Sequence, residues 1–275
     1  IEASFEQPIE ALWAEFDPVP IGAASIAQVH RAVTTEGRQV AVKVLRPGVR
    51  EQFARDISTY EWAAAHLESF GGEAARLRPR LIIANFKRWT NRELDLRREA
   101  ASVSELAQHM VGTAGYEIPG IDWDRTNGRV MTVDWIDGIK ISNTEAIRAA
   151  GHDTAELASR LVLAFLKQAI AAGFFHADMH QGNLFVKADG TIAAIDFGIM
   201  GRIDRRARMW LAEILYGLTT GNYKRVAEIH FEAQYVPSYH DVDEFATALR
   251  AVGEPMRGKP VSELSVGQML DGLFA

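Results

Sequence analysis

The chain has 275 residues, of which 48% are hydrophobic and 24% charged, with a formal net charge of −6 and no cysteine. A chain this long can bury roughly 75% of its unfolded surface as one large or two-lobed domain. The acidic balance excludes a global basic field for nucleic acid, and the lack of cysteine excludes disulfides and thiolate metal sites, which fits a reducing compartment.

No secretory signal pattern is visible, and the most apolar run, residues 161–175, is interrupted by Lys167 and Gln168 and too short to span a bilayer. The chain opens on Ile1, and residues 270–275 read as a helix cut mid-turn, so a piece of a longer protein is expected.

In chain order, Ile9, Leu12, Trp13 and Phe16 follow an i, i+3, i+4, i+7 spacing that predicts a short amphipathic helix ended by Asp17 and Pro18. Small residues then fill positions 22–25, ahead of a strand through Val29 and His30. Small side chains let backbone N–H groups approach phosphate oxygens. Gly22, Ala24, Ala27 and Val29 take the places of a kinase glycine loop, with alanine where two glycines would stand. Gly37 turns the chain and residues 39–45 pair back, with Val40, Val42 and Val44 on one face and Ala41, Lys43 and Leu45 on the other. Ala41 and Lys43 match the kinase strand whose lysine holds the α- and β-phosphates as a point charge.

Residues 50–70 predict a helix with Phe53, Ile57, Tyr60, Ala64 and Leu67 on one stripe, and residues 80–110 a second long helical region. An alternating strand at 129–136 ends at Asp137 and Gly138, where the junction between lobes is expected. Leu157, Leu161, Phe165 and Ile170 give a core helix leading into residues 174–183, and helices are expected at 203–218, 223–235 and 241–252.

The chemistry concentrates at residues 176–198. Asp178 stands five residues before Asn183, and Asn183 thirteen before Asp196, which opens an Asp-Phe-Gly. A kinase catalytic loop relates an Asp to an Asn in this way. Asn183 and Asp196 supply hard oxygens suited to Mg²⁺ held against phosphates, and Asp178 can accept a proton or orient an acceptor. Apolar strands at 184–186 and 192–195, joined by Asp189 and Gly190, predict a hairpin between the two ligands. The kinase lysine needs a carboxylate partner on a nearby helix. By spacing, Glu61 and Glu99, eighteen and fifty-six residues after Lys43, are equal candidates.

These stretches, with the segments Glu93-Leu94-Asp95-Leu96-Arg97-Arg98-Glu99 and Ile195-Asp196-Phe197-Gly198-Ile199-Met200-Gly201, resemble the UbiB family of atypical kinase-like ATPases, the aarF-domain kinases tied to quinone biosynthesis. The resemblance covers residues 17 to about 201 in family order. It implies an α+β, two-lobed protein-kinase-like fold. A small antiparallel N-lobe with a helical insertion would span residues 1–137, and a mostly helical C-lobe residues 138–275. It implies ATP and Mg²⁺ as cofactors, held between the lobes. Gly22, Ala23, Ala24, Ser25, Val29, Ala41 and Lys43 would contact nucleotide, and Asn183 and Asp196 the metal. Lys43, Glu99 and Asp178 would form the catalytic set, which selects Glu99 over Glu61. Glu93 and Asp95 would be the family's regulatory Glu-x-Asp pair. The sequence departs from the family at Gly22, where alanine is usual, and at Met179 and Gln181, where prolines are frequent; no Lys-x-Gly-Gln occurs in these residues.

The expected function is therefore an ATPase or phosphotransferase acting on, or regulating, lipid- or quinone-type metabolism. The alternative is a nucleotide-switched binder of an apolar small molecule or partner protein with little phosphotransfer. Expected partners are a nucleotide and a lipophilic small molecule, with no nucleic acid. The expected location is cytoplasmic, with room for peripheral membrane contact. A serine/threonine protein kinase ranks last, for want of an Ala-Pro-Glu segment after Gly198.

Overall fold

The computed structural model describes residues 1–23, 25–72, 76–255 and 257–258; Ala24 of the small-residue loop and the expected helix at 270–275 lie outside the described residues. The chain divides into two compact units. The first comprises Ile1–Gln108, Ile118–Asp137 and Ile195–Gly198, and the second His109–Glu117, Gly138–Ala194 and Ile199 onward. A single cut at residue 137 is thus too simple. Residues 109–117 join the second unit through a strand that pairs there, and residues 195–198 join the first through hydrogen bonds from Lys43 to Asp196 and from Phe197 to Glu99.

The first unit opens with two four-residue helices, α1 (Glu2–Phe5) and α2 (Ile9–Leu12), and a strand, β1 (Trp13–Phe16). The expected single helix is corrected here: the chain turns extended at Trp13, which pairs with Thr34, while Phe16 pairs with Ala32. A helix this short leaves most of its backbone groups without partners, whereas the strand pairs them and packs Trp13 between Phe5 and Phe16 at 1% exposure.

The sheet continues through β2 (Gly22–Ala23), β3 (Ala27–Thr34), β4 (Gln39–Leu45), β6 (Ile121–Asp122) and β7 (Val130–Asp134), in the order β1-β3-β4-β7-β6 with β2 on β3. All its pairs are antiparallel. Arg125, 8% exposed, ties this sheet together: it donates to the Leu12 carbonyl at 2.6 Å, to Asp122 at 2.9 Å and to Glu36 in the β3–β4 turn at 2.9 Å.

Helix α3 (Val49–Ser69) buries Val49, Ile57 and Ala64 and packs Phe53 on the core, but leaves Tyr60 and Leu67 exposed, against the expected five-residue stripe. The expected long helical region is two helices, α4 (Pro79–Glu93) and α5 (Leu96–Met110). The break falls at Leu94, whose carbonyl is taken by Arg50.

The second unit carries a four-stranded sheet. Its strands are β5 (Tyr116–Glu117), β8 (Ile139–Lys140), β10 (Leu184–Val186) and β11 (Ile192–Ala194), ordered β5-β11-β10-β8. The β10–β11 hairpin pairs Leu184 with Ala194, so Asn183 directly precedes one strand and Asp196 follows the other by two residues. A two-stranded ribbon joins β9 (Phe174–His176) to β12 (Met200–Arg202). Helix α6 (Thr144–Ala149) is followed by α7 (Thr154–Leu166), which runs into a π-type turn at Lys167–Ala172 that stops at Gly173, φ +72°. Helices α8 (Arg205–Thr220), α9 (Tyr223–Glu232) and α10 (Val242–Gly253) pack around Tyr223, Val226, Ala246 and Leu249.

Candidate functional site

In the first unit, strand register brings Lys43 opposite Val29 on one side and Met131 on the other. Its Nζ donates to both oxygens of Glu99, at 2.8 and 2.9 Å, and to Asp196 Oδ1 at 3.1 Å. Glu61 is not the partner; it pairs instead with Lys87 at 2.9 Å. Glu99 sits in the first turn of α5, where the helix dipole favours a carboxylate. The break between α4 and α5 turns that first turn toward β4, with Leu94, Leu96 and Ala100 packed against Ala27, Leu45 and Met131.

Burial alone would push the Lys43 ammonium down; the carboxylates of Glu99 and Asp196 outweigh it and hold the pKa above the ordinary lysine value. Burial pushes the carboxyls of Glu99 and Glu93 up, partly offset by the Lys43 charge. The Lys43 charge thus acts on Glu93, Glu99 and Asp196 alike. Glu93, Glu99 and Asp196 gather carboxylate oxygens beside that ammonium, donors of the hard type a divalent cation takes. Asp196 stands in the left-handed region at φ +59° with its carboxylate half-exposed, while the neighbouring Phe197 ring is buried. Asp95 lies beside this cluster in sequence but is committed to Arg97 at 2.7 Å, which holds its carboxyl below the usual range.

The small-residue loop brings Gly22 opposite Val29 and Ala23 opposite Gln28, with both small residues exposed. A Cβ on Gly22 would meet nothing within 4 Å, so neither space nor backbone requires glycine there. Ser25 is exposed, and Ala41 pairs with Val133.

In the second unit the loop after β9 carries Asp178 and Asn183. His176, 1% exposed, accepts the Asp178 backbone N–H on Nδ1 at 3.1 Å. The Asp178 carbonyl accepts from His180 N at 2.9 Å and from Asn183 Nδ2 at 3.2 Å. That bond uses one N–H of the Asn183 amide within its own loop and fixes the amide plane, and the amide oxygen is the atom of a type to serve as a ligand. The Asp178 carboxylate is half-exposed, 3.8 Å from His180 Nε2. Among the described residues there is no cluster of three or more His, Cys, Asp or Glu side chains able to hold a metal alone. Mg²⁺ ordinarily takes one or two protein oxygens and completes its shell with phosphates and water, so Asp196 and Asn183 fit it by donor type.

The model of the ABC1 atypical kinase-like domain matches residues 1–230. The chain belongs to the ABC1 atypical kinase-like family. Two curated relatives agree along its whole length: the probable protein kinase UbiB of Marinobacter nauticus at 39% identity, and that of Xylella fastidiosa at 35%. The chain spans about half the length of these relatives, 51% in each case. Among solved structures, the complex of Rv3197 with erythromycin from Mycobacterium tuberculosis is similar, with a TM-score of 0.69 and 25% identity over 90% of this chain and 62% of that one. The antiparallel sheet with its helical insertion and the helix-rich second unit are the kinase-like architecture expected of the family.

In this ABC1 domain, one support of the loop escaped sequence reasoning. Gln168, fully buried in the π-type turn, accepts the His176 backbone N–H at 3.0 Å. His176 in turn fixes the Asp178 backbone. A glutamine inside the most apolar run of the chain was the available signal, because a polar side chain in a core helix needs a buried partner.

Proposed function

We propose that this chain is the catalytic part of a kinase-like ATPase that uses Mg-ATP and acts on, or regulates the handling of, lipid- or quinone-type small molecules. The observation that carries the reading is Lys43 held by both oxygens of Glu99 while also reaching Asp196. That arrangement presents a fixed ammonium beside a half-exposed carboxylate, the combination that phosphate and metal binding require. In this proposal Lys43 holds the nucleotide phosphates and Glu99 orients Lys43. The loop with Gly22, Ala23 and Ser25 offers backbone N–H groups, and Val29 and Ala41 support the base. Asp196 and Asn183 hold Mg²⁺, which when bound neutralises phosphate charge. Asp178 orients a water or acceptor hydroxyl, kept in place by His176 and Asn183. Glu93 and Asp95 form a regulatory pair.

The test is phosphate release at saturating Mg-ATP, comparing wild type with Asp196→Ala. A loss of a hundredfold or more is expected, since the carboxylate's electrostatic share is removed; equal rates refute the proposal.

The relatives' UbiB name supports the quinone side of the reading, and the neighbour's complex with erythromycin supports a second one, a nucleotide-switched binder of a bulky lipophilic molecule. Nucleotide binding without turnover at full Mg²⁺ would decide for the switch. No helix among the described residues is long and apolar enough to cross a membrane. A cytoplasmic location with peripheral contact to a membrane goes with the same proposal, because a chain handling lipophilic compounds must meet them where they partition.

A further inference from the structure

We propose that Tyr116 is a positioning residue for the loop that carries Asp178, acting through the thioether of Met179. This role rests on Asp178 as the group that orients a water or acceptor hydroxyl. All the residues involved belong to the second unit.

The strand is the anchor. Tyr116 opens β5, which runs parallel to β11 and pairs Tyr116 with Ile192 and Glu117 with Ala193. The Ile192 N–H donates to the Gly115 carbonyl at 3.0 Å, and Lys187 donates to Glu117 at 2.6 Å. Tyr116 is therefore fixed to the same hairpin that Asn183 leads into. It is 6% exposed, in a sheet where Ile192, Ala193 and Ala194 are fully buried. Phenylalanine would fill that place with no polar group to bury. The hydroxyl carries a desolvation cost that partners must offset.

That hydroxyl reaches the loop. Its oxygen lies 3.8 Å from Sδ of Met179, the residue after Asp178. A thioether accepts only weakly, so the second neighbour decides which way the phenol hydrogen points. Gln168 is fully buried, and its Oε1 accepts the His176 N–H at 3.0 Å. That bond orients the amide and leaves Nε2 for another group. Nε2 is buried without a formed hydrogen bond among the described residues. The Gln168 side chain nevertheless acts on Tyr116: burial pushes the phenol up to about 12, and Gln168 offsets part of the rise. A donor facing the phenol oxygen leaves the phenol's own hydrogen for Met179.

The contacts close around two consecutive residues. On one side Gln168 takes the His176 N–H, and His176 Nδ1 takes the Asp178 N–H at 3.1 Å. On the other, Gln168 faces Tyr116, and Tyr116 meets the Met179 side chain. One buried glutamine thus stands behind both holds, the first on the backbone of Asp178 and the second on the side chain of Met179. A methionine side chain is unbranched and adaptable. Docking its sulfur on a strand-borne hydroxyl removes that freedom beside a carboxylate that must point at a reacting group. Misplacing such a group by an ångström costs up to about a hundredfold in rate.

The experiment compares Tyr116→Phe, Met179→Leu and the double variant by two measurements. One is steady-state phosphate release at varied Mg-ATP. The other is amide hydrogen exchange over residues 177–183, followed by mass spectrometry, with helix α9 as internal reference. Each single variant is expected to lower kcat at least threefold, with KM for ATP changed less than twofold. Each should also speed exchange in the loop at least threefold and leave α9 unchanged. The double variant should fall no further than either single one, because both remove the same contact. Met179→Gln, whose amide oxygen can accept from the hydroxyl, should keep kcat within twofold of wild type. Loop exchange or kcat unchanged in both single variants, additive losses in the double variant, or exchange rising equally in α9 overturns the proposal. A wild-type chain that releases no phosphate refutes the ATPase reading instead, and loop exchange alone then decides whether Tyr116 holds Met179.

Discussion

Glu99 Oε1 accepts the backbone N–H of Phe197 at 3.3 Å, across 98 residues of chain. The same oxygen accepts from Lys43 at 2.8 Å. One buried carboxylate therefore sets both the direction of the lysine and the course of the Asp-Phe-Gly backbone. The Phe197 ring is 2% exposed, so the segment is held by packing as well. Moving Glu99 would disturb Asp196 even without touching it.

This double duty separates Glu99 from Glu61 by experiment. Glu99→Gln keeps the shape but removes the charge opposite Lys43. It should lower stability by about 1–3 kcal/mol, measured by urea unfolding, because a buried ammonium loses part of its compensation. Phosphate release should fall at least tenfold. Glu61→Gln breaks only a half-exposed pair with Lys87 and should change stability by no more than about 0.5 kcal/mol, with activity unaltered. Equal effects from the two substitutions would remove Glu99 from its assigned place.

Gln168 offers a test of the loop that needs no change at a reacting group. Gln168→Leu removes the acceptor of the His176 backbone N–H while keeping an apolar side chain of similar bulk. The orphaned donor is buried, which should cost about 1–3 kcal/mol. Because His176 holds the Asp178 backbone, turnover should fall at temperatures where the variant is fully folded, with nucleotide affinity unchanged. Glutamate at 168 keeps the oxygen and should restore much of the turnover. A variant with lower stability and normal turnover would show that Gln168 only supports the fold.

How much of this was readable in the residues differs by element. The β3–β4 hairpin was legible because Val40, Val42 and Val44 alternate with Lys43 between them, and the observed register follows that alternation. The Lys43–Glu99 contact was not legible from spacing. Sequence separation says nothing about where a helix start is turned, and that turn comes from a break at Leu94 that periodicity runs straight through. Resemblance to the family selected Glu99, whose Oε1 stands 2.8 Å from the Lys43 ammonium. Trp13 and Phe16 misled because an i, i+3 spacing fits a helix whether or not the chain forms one. Strand pairing with β3 won over the local pattern. Gln168 was visible as an interruption in an apolar run, but its partner, a backbone N–H eight residues on, was not.

Trp13 provides a measure of that tertiary override. Its side chain is 1% exposed, in contact with Phe5 and Phe16. Trp13→Ala should cost about 3–5 kcal/mol by urea unfolding, as for large aromatic truncations in a core. Trp62, 69% exposed on α3, should cost no more than about 0.5 kcal/mol on the same change. Similar losses from the two would mean that Trp13 does not occupy the buried strand position.

The Arg125 network predicts a pH dependence with a definite sign. Hydrogen bonds from the Arg125 guanidinium, aided by Thr34 and Thr35, hold the Glu36 carboxyl down to about 2, from an ordinary value of 4.5. A carboxyl with a depressed folded-state pKa binds fewer protons in the native chain than in the unfolded one. Its stabilising contribution is therefore complete above pH 4.5 and is lost as pH falls toward 2. Glu36→Gln removes the titration and the charge opposite Arg125. The urea midpoint of wild type should exceed that of the variant at pH 6, and the gap should narrow steadily from pH 4.5 to pH 2.5. Because Glu36 is exposed, the gap should also shrink in 0.5 M salt. A gap that stays constant across this range, or widens toward acid, would show that Glu36 is not held ionised by Arg125.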